Sequence, residues 1–253
     1  MSGRAQYPSL AGKRVFISGG GSGIGEGLVE AFAAQGAHVA FCDIMNEAGR
    51  ALVDRLSGAP IKPVFRHCDL RDIASVQAMM ADLETTLGGI DIVVNNAAND
   101  DRHDVGDVTP DYWDERMAVN LRHLFFVAQA AVPAMRRAGG GVILNFGSIS
   151  WHLGLPSLAL YQTAKAAIEG MTRGMARDLG RDNIRVNTIV PGNVKTPRQE
   201  KWYTPEGEAE LVAAQCLDGR ILPSDVAALT LFLASDDARM CTGHDYFVDA
   251  GWR

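Results

Sequence analysis

Tyr161 and Lys165 stand four positions apart in Tyr161-Gln162-Thr163-Ala164-Lys165, and Ser148 lies thirteen positions before the tyrosine. Four residues is about one helical turn, so a helix here sets a phenol beside an ammonium, and a nearby cation favours the ionised phenol. A free phenol titrates near ~10, too high for a base at neutral pH, so such a neighbour matters. The resulting phenolate can take a proton from a substrate hydroxyl that the Ser148 side chain holds in place. A second pattern, Ser18-Gly19-Gly20-Gly21-Ser22-Gly23-Ile24-Gly25, sits near the start of the chain. Between a strand and a helix, its GxxxGxG spacing lets backbone approach a pyrophosphate at the helix N-terminus. Together the two patterns point to proton-coupled hydride transfer on a nicotinamide dinucleotide. Singly they are weaker: Tyr161 also reads as an interfacial helix residue, Ser148 as a cap and Asn120 as a residue at a helix bend.

Asp43 follows Gly25 by eighteen residues, at the end of the next apolar run. A carboxylate there accepts hydrogen bonds from ribose hydroxyls and repels a 2′-phosphate, so NAD is expected rather than NADP. No Arg or Lys stands at Gly20, Gly21 or Ile44 to bind that phosphate. The plainer reading of Asp43 is a turn former at a strand end.

The elements that must position these groups follow from hydrophobic spacing. Short apolar runs at 15–17, 39–42, 64–65, 90–94, 141–146, 184–190 and 245–249 predict strands. Helical spacing at 24–35, 46–56, 73–87, 113–137 and 157–179 predicts the helices between them, with Pro133 expected to kink or break the fourth. Near-continuous apolar strands alternating with helices imply an α/β chain with a parallel sheet covered on both faces. No repeat or linker divides residues 1–253, which predicts a single doubly wound domain. The rhythm breaks at 194–220, a polar stretch carrying Trp202, Tyr203 and Pro205. It is expected to be a mobile substrate lid rather than a solvated excursion, because two aromatic side chains there need something to cover.

Composition narrows the function classes. A chain of 253 residues with 47% hydrophobic content can bury a large core. A formal charge of -6, with Arg and Lys scattered, argues against a nucleic-acid or anionic-membrane surface. Cys42, Cys68, Cys216 and Cys241 form no CxxC pair and read as buried free thiols in a reducing compartment. With neither a signal-peptide core nor a bilayer-length apolar stretch, the expected location is the cytoplasm.

Over essentially its whole length the chain resembles the short-chain dehydrogenase/reductase family. The matching motifs are the glycine turn, with Ser18 where Thr is usual, Asn95-Asn96-Ala97, Asn120, Ser148, Tyr161-x3-Lys165 and Pro191-Gly192-Asn193-Val194-Lys195-Thr196. The resemblance implies a Rossmann fold with a seven-stranded parallel sheet flanked by helices, and a homotetramer. It also implies a catalytic tetrad of Asn120, Ser148, Tyr161 and Lys165, in which Lys165 holds the ribose and Asn120 keeps a water for proton exit. Cofactor contacts are implied at Gly19, Ser22, Gly23, Ile24, Asp43, Asp69, Leu70, Asn96, Tyr161, Lys165, Pro191, Val194 and Thr196. Ala98 departs from the family's usual Gly, an extra methyl expected to tighten the adenine-ribose pocket.

The segments around this machinery are unusually polar: Asn99-Asp100-Asp101-Arg102-His103-Asp104, Ser148-Ile149-Ser150-Trp151-His152, and the stretch with Arg198, Trp202 and Tyr203. Carboxylates, amides and indoles suit a sugar, whereas an acyl chain would need Leu, Met and Phe. A solvated, self-paired loop is the bland alternative, and no metal is needed. Within the family these segments are similar to bacterial aldose dehydrogenases that oxidise the anomeric hydroxyl of an aldopyranose, D-xylose first, with NAD. That similarity implies a small-molecule sugar as partner, with substrate contacts at Asn99, Ser148, Trp151, Tyr161, Asn193 and Trp202. L-arabinose, a hexose or a deoxyhexose remain open as substrates, since one methylene discriminates weakly. A 3-oxoacyl-type ketoreductase or a nucleotide sensor without chemistry are the competing classes.

Overall fold

Val15 and Ile17 turn to one side of the first strand and Phe16 to the other, and all three are fully buried. A strand covered on both faces needs helices above and below it. The computed structural model, which describes residues 5–200 and 203–253, has that layering. Its strands are β1 (Arg14–Ser18), β2 (His38–Asp43), β3 (Val64–His67), β4 (Ile92–Asn95), β5 (Gly141–Phe146), β6 (Ile184–Pro191) and β7 (Asp245–Val248). All pair in parallel, in the order β3-β2-β1-β4-β5-β6-β7. The expected seven-stranded Rossmann sheet is therefore present.

The helices are α1 (Gly23–Ala34), α2 (Asn46–Arg55), α3 (Ile73–Leu87), α4 (Pro110–Met117), α5 (His123–Arg137), α6 (Ile149–Leu153), α7 (Ala159–Leu179), α8 (Pro197–Glu200), α9 (Pro205–Ala213) and α10 (Pro223–Ala234). One core layer joins Leu28 and Phe32 of α1, Leu52 of α2 and Val226 and Leu231 of α10 to the sheet. The other joins Val76 and Met80 of α3, Val127 and Met135 of α5 and Ala176 of α7. Local signals fix the helix ends. Asp72 caps α3 by accepting from Ala74 N at 3.0 Å, and Gly88, at φ 74°, closes it in the left-handed region.

Three expectations need correction. The helix predicted over 113–137 is two helices separated by a π-helical segment at Ala118–Arg122, in which Asn120 sits. Such segments insert an extra residue per turn and re-aim side chains. Of the kink or break expected at Pro133, the break does not occur, since α5 continues to Arg137. Residues 194–220 are not a featureless loop either. They contain α8 and α9, with Thr204 capping α9 and Pro205 at its first turn, and an isolated pairing of Val194 with Ile221 closes the excursion at its base. Trp202 lies outside the described residues. The cysteines are free, as expected, but only Cys42 and Cys68 are buried, while Cys216 is exposed.

The strand order places the site. The chain builds β1, β2 and β3 outward, then returns to the other side of β1 for β4, so the loops after β1 and β4 part and leave a crevice. Ser18 pairs with Asn95, and Asn95 with Asn145, so these three strands end level with one another. The glycine turn, the Asn96 segment and Ser148 consequently emerge at one sheet edge.

Candidate active site

The glycine turn is held by its neighbour across the crevice. Ser18 Oγ accepts from Asn96 N at 3.0 Å and Ala97 N at 3.1 Å, and Asn96 Nδ2 donates to the carbonyls of Ser18 and Gly19 at 3.1 and 3.0 Å. Gly19 adopts φ +66°, and a Cβ there would lie 2.8 Å from Ala97 Cα. A Cβ on Gly25 would lie 1.8 Å from the Gly19 carbonyl oxygen, a contact no side chain can relieve. Ser22 precedes α1 without using its hydroxyl as a cap, so its side chain takes none of the first-turn N–H groups. That open helix start, under a turn with no room for side chains, is the shape a pyrophosphate requires.

Asp43 ends β2 as a buried carboxylate bordering the same cavity. Its Oδ2 accepts from Gly21 N and its Oδ1 from Met45 N, each at 2.9 Å. Each oxygen keeps an acceptor site for a ribose hydroxyl. The turn-forming role and the proposed recognition role therefore coexist in one side chain.

A cavity of about 580 Å³ runs along the strand ends, from the segments after β2 and β3 to those after β5 and β6. All the residues expected to touch a dinucleotide border it: Gly19, Ser22, Gly23, Ile24, Asp43, Asp69, Leu70, Asn96, Tyr161, Lys165, Pro191, Val194 and Thr196. Ala98, the departure from the family pattern, borders it too. Asp69 is already engaged, its carboxylate held by Arg71 with Nη2 at 2.6 Å, which keeps it below the usual carboxylate range. The glycine cradle, the open helix start and the buried Asp43 carboxylate fit a dinucleotide.

Ser148, Tyr161 and Lys165 share the end of the cavity beyond β5. Ser148 caps the short helix α6, accepting from Ser150 N at 3.2 Å, and bonds Ser150 Oγ at 3.0 Å. Lys165 is buried, with Nζ donating to the Phe146 carbonyl at 2.7 Å and lying 5.4 Å from the centre of the Tyr161 ring. Asn120 does not border the cavity. It is buried behind, with Oδ1 accepting from Asn99 N at 2.8 Å and Nδ2 without a protein partner. An unpaired buried donor costs about 1–3 kcal/mol, so this atom calls for a water.

The electrostatics correct the expectation drawn from the Tyr-x3-Lys spacing. Burial pushes the Tyr161 phenol above its ordinary value, with the Asp100 charge adding to the rise, while Ser148 and Arg198 oppose it. Burial also pushes Lys165 down to about 7, with Asp100 opposing. Low dielectric disfavours each charged form, so burial opposes ionisation of the phenol.

The expected sugar contacts divide. Asn99, Asn193, Ser148 and Tyr161 border the cavity. Asn193 Oδ1 accepts from Arg220 Nη2 at 2.9 Å and from the Tyr203 hydroxyl. Trp151 does not border the cavity, since its indole Nε1 donates to Glu169 Oε1 at 2.8 Å and its ring stacks on His152 at 3.8 Å. Trp252, Gln199 and Leu155 border the cavity without having been singled out from the sequence.

A family model described as enoyl-(acyl carrier protein) reductase matches residues 19–253. The D-xylose 1-dehydrogenase of Caulobacter vibrioides is 64% identical over 249 residues, covering 98% of this chain and 99% of that protein. A solved 7α-hydroxysteroid dehydrogenase complexed with NADH and 7-oxo glycochenodeoxycholic acid has a TM-score of 0.92 at 31% identity, covering 97% of this chain and 96% of its own. A blue fluorescent protein from a metagenomic library, in complex with NADPH, has a TM-score of 0.89 at 35% identity, covering 96% of this chain and 99% of its own.

Proposed function

The chain belongs to the short-chain dehydrogenase/reductase family, and on that premise we propose that it is an NAD-dependent aldose 1-dehydrogenase oxidising the anomeric hydroxyl of an aldopyranose, D-xylose foremost, to the aldonolactone. The observation that carries this reading is the meeting of Tyr161 and Ser148 with Asn99, Asp100, Asn193, Arg198 and Gln199 around one cavity. A hydroxyl-rich substrate finds donors and acceptors on every side there, whereas an acyl chain or a steroid would meet few apolar side chains among them.

When bound, the oxidised dinucleotide supplies the hydride acceptor and a positive charge at the nicotinamide. Ser148 holds the anomeric oxygen by hydrogen bond, and Tyr161 removes its proton as the C–H bond breaks. The phenol needs compensation for its desolvation, and cationic charge beside it provides that compensation. Lys165 keeps N–H groups beyond its bond to Phe146 and uses them on the ribose hydroxyls. Asn120 Nδ2 holds the water through which the proton leaves. Asp43 selects NAD, because a 2′-phosphate would meet a buried carboxylate.

Homotetramer assembly belongs to the same reading. Trp113 on α4 and Phe125 on α5 are each 44% exposed, which suits a second copy. Light scattering of the purified protein checks it. Among the described residues, no helix is long and apolar enough to cross a membrane.

Initial rates of NADH and NADPH formation across pentoses, hexoses and 3-hydroxyacyl esters test the assignment. The reading predicts the highest kcat/KM with NAD⁺ and D-xylose. Turnover confined to acyl substrates, or a preference for NADP⁺, contradicts it.

A further inference from the structure

Across the cavity, the segment following β4 meets helix α8. Arg198 Nη2 donates to Asn99 Oδ1 at 3.0 Å and to Asp101 Oδ1 at 3.3 Å, and forms an ion pair with Asp100, Nη2 to Oδ1 2.9 Å. Gln199 Nε2 donates to Asp100 Oδ2 at 3.1 Å. Asp101 has a partner of its own in Arg116, at 3.0 Å. These bonds join groups nearly a hundred residues apart in sequence, so they are not the local self-pairing of a solvated loop. A partly exposed ion pair of this kind contributes only about 0–1 kcal/mol to stability, which is little reason to aim a carboxylate into a cavity.

Asp100 borders that cavity together with Tyr161 and Ser148. Its charge acts on both the Tyr161 phenol and the Lys165 ammonium, consistent with that shared cavity. A carboxylate has about four acceptor sites, and Arg198 and Gln199 occupy one on each oxygen. Among the described residues, no further donor is bonded to this carboxylate. A substrate hydroxyl held between Tyr161 and Ser148 has its neighbouring hydroxyls on adjacent carbons, within reach of such an acceptor.

Resting on the aldose reading above, we propose that Asp100 is a substrate-binding residue whose carboxylate, fixed by Arg198 and Gln199, accepts hydrogen bonds from the sugar hydroxyls adjacent to the oxidised carbon. It thereby selects polyhydroxylated substrates over simple alcohols. Arg198 and Gln199 are positioning residues in this arrangement, since each also contacts Asp100 while bonded to other groups of the cavity wall.

The test compares the wild-type protein with Asp100→Ala and Asp100→Asn on D-xylose and on its 2-deoxy and 3-deoxy analogues, with NAD⁺ affinity read by fluorescence as a check of folding. Charge-assisted hydrogen bonds of about 1.5–3 kcal/mol correspond to roughly 10–100-fold in kcat/KM. In the wild type, at least one deoxy analogue is expected to lose that factor against D-xylose. In Asp100→Ala, D-xylose itself loses it, mainly through KM, and the gap to that analogue closes. NAD⁺ affinity stays unchanged. If both variants shift the pH dependence through Tyr161 but keep the wild-type ratio between parent and deoxy sugars, Asp100 acts only through its charge and the proposal is overturned. That outcome leaves the aldose reading standing, whereas a wild-type protein that oxidises no aldose overturns both.

Discussion

Lys165 Nζ donates a 2.7 Å hydrogen bond to the carbonyl of Phe146, the last residue of β5. The lysine is thus tied to the strand end from which Ser148 emerges two residues later, and Tyr161 stands one turn before it on α7. This bond, with that of Trp151 Nε1 to Glu169, couples the helix carrying Tyr161 to the segment carrying Ser148.

Replacing Tyr161 with Phe removes only the hydroxyl, so NAD⁺ affinity by fluorescence titration should stay within a factor of about two. Sugar oxidation should fall by roughly 10²–10⁴, the ordinary worth of a positioned acid or base. Because burial pushes the phenol up, the phenolate fraction shrinks as pH falls, and kcat/KM for the sugar should decline toward acid. Lys165→Met removes a neighbouring cation and should move that limb to higher pH. A limb that stays in place would remove Lys165 from the tuning of Tyr161.

Asp43→Asn keeps the size of the side chain and abolishes its negative charge. The ratio of kcat/KM for NAD⁺ over NADP⁺ should drop about tenfold or more, equivalent to 1.4 kcal/mol of lost repulsion. The bonds to Gly21 N and Met45 N give a reason for a modest loss of thermal stability as well. An unchanged cofactor ratio would assign Asp43 to turn formation alone.

Gly25→Ala sets a methyl 1.8 Å from the Gly19 carbonyl oxygen and 2.8 Å from Asn96 Nδ2. Backbone must move, at a cost of about 1–3 kcal/mol or more, and the turn opens where the dinucleotide binds. NAD⁺ affinity should fall at least tenfold, measured by calorimetry. Gly170→Ala, where a Cβ meets nothing within 4 Å, is the control expected to bind normally.

His123 is fully buried beside Lys165, and neither ring nitrogen has a hydrogen-bond partner. Burial first, then the Lys165 charge, push it down from 6.5 to about 4; backbone groups of Ala97 and Val119 approach the ring and offset this only in part, without reaching hydrogen-bond geometry. Between those values the unfolded chain binds a proton that the folded chain refuses. This contribution to stability is whole above about pH 6.5 and is lost as pH falls toward 4, by about 3 kcal/mol. Melting curves should show that decline, and His123→Gln should flatten it. Parallel curves for the two proteins would contradict the assignment.

The sheet was legible because its strands are apolar on both faces, and the nearness of Tyr161, Lys165 and Ser148 because it is local: one turn from Tyr161 to Lys165, and a strand end for Ser148. A bend at Asn120 was one reading of the sequence, but its π-helical form was not legible, since that is set by what the flanking helices pack against rather than by the run of apolar residues. Trp151 was expected to contact the sugar, but Glu169, eighteen residues away on α7, captures its N–H. Long-range partners also decide Asp100, whose role depends on a helix some hundred residues further on. Phenol ionisation depends on more than spacing, which reports proximity, since burial of Tyr161 acts against the charged form.

The account rests on hydride leaving the anomeric carbon while Tyr161 takes the proton from its oxygen. Oxidation of D-[1-²H]xylose by the wild-type protein tests this directly, with the NADH isolated and weighed by mass spectrometry. Deuterium recovered in NADH, together with a slower rate than for unlabelled sugar under conditions where the C–H step limits turnover, is the predicted result. Unlabelled NADH from the same reaction would contradict it, for oxidation would then have occurred at another carbon.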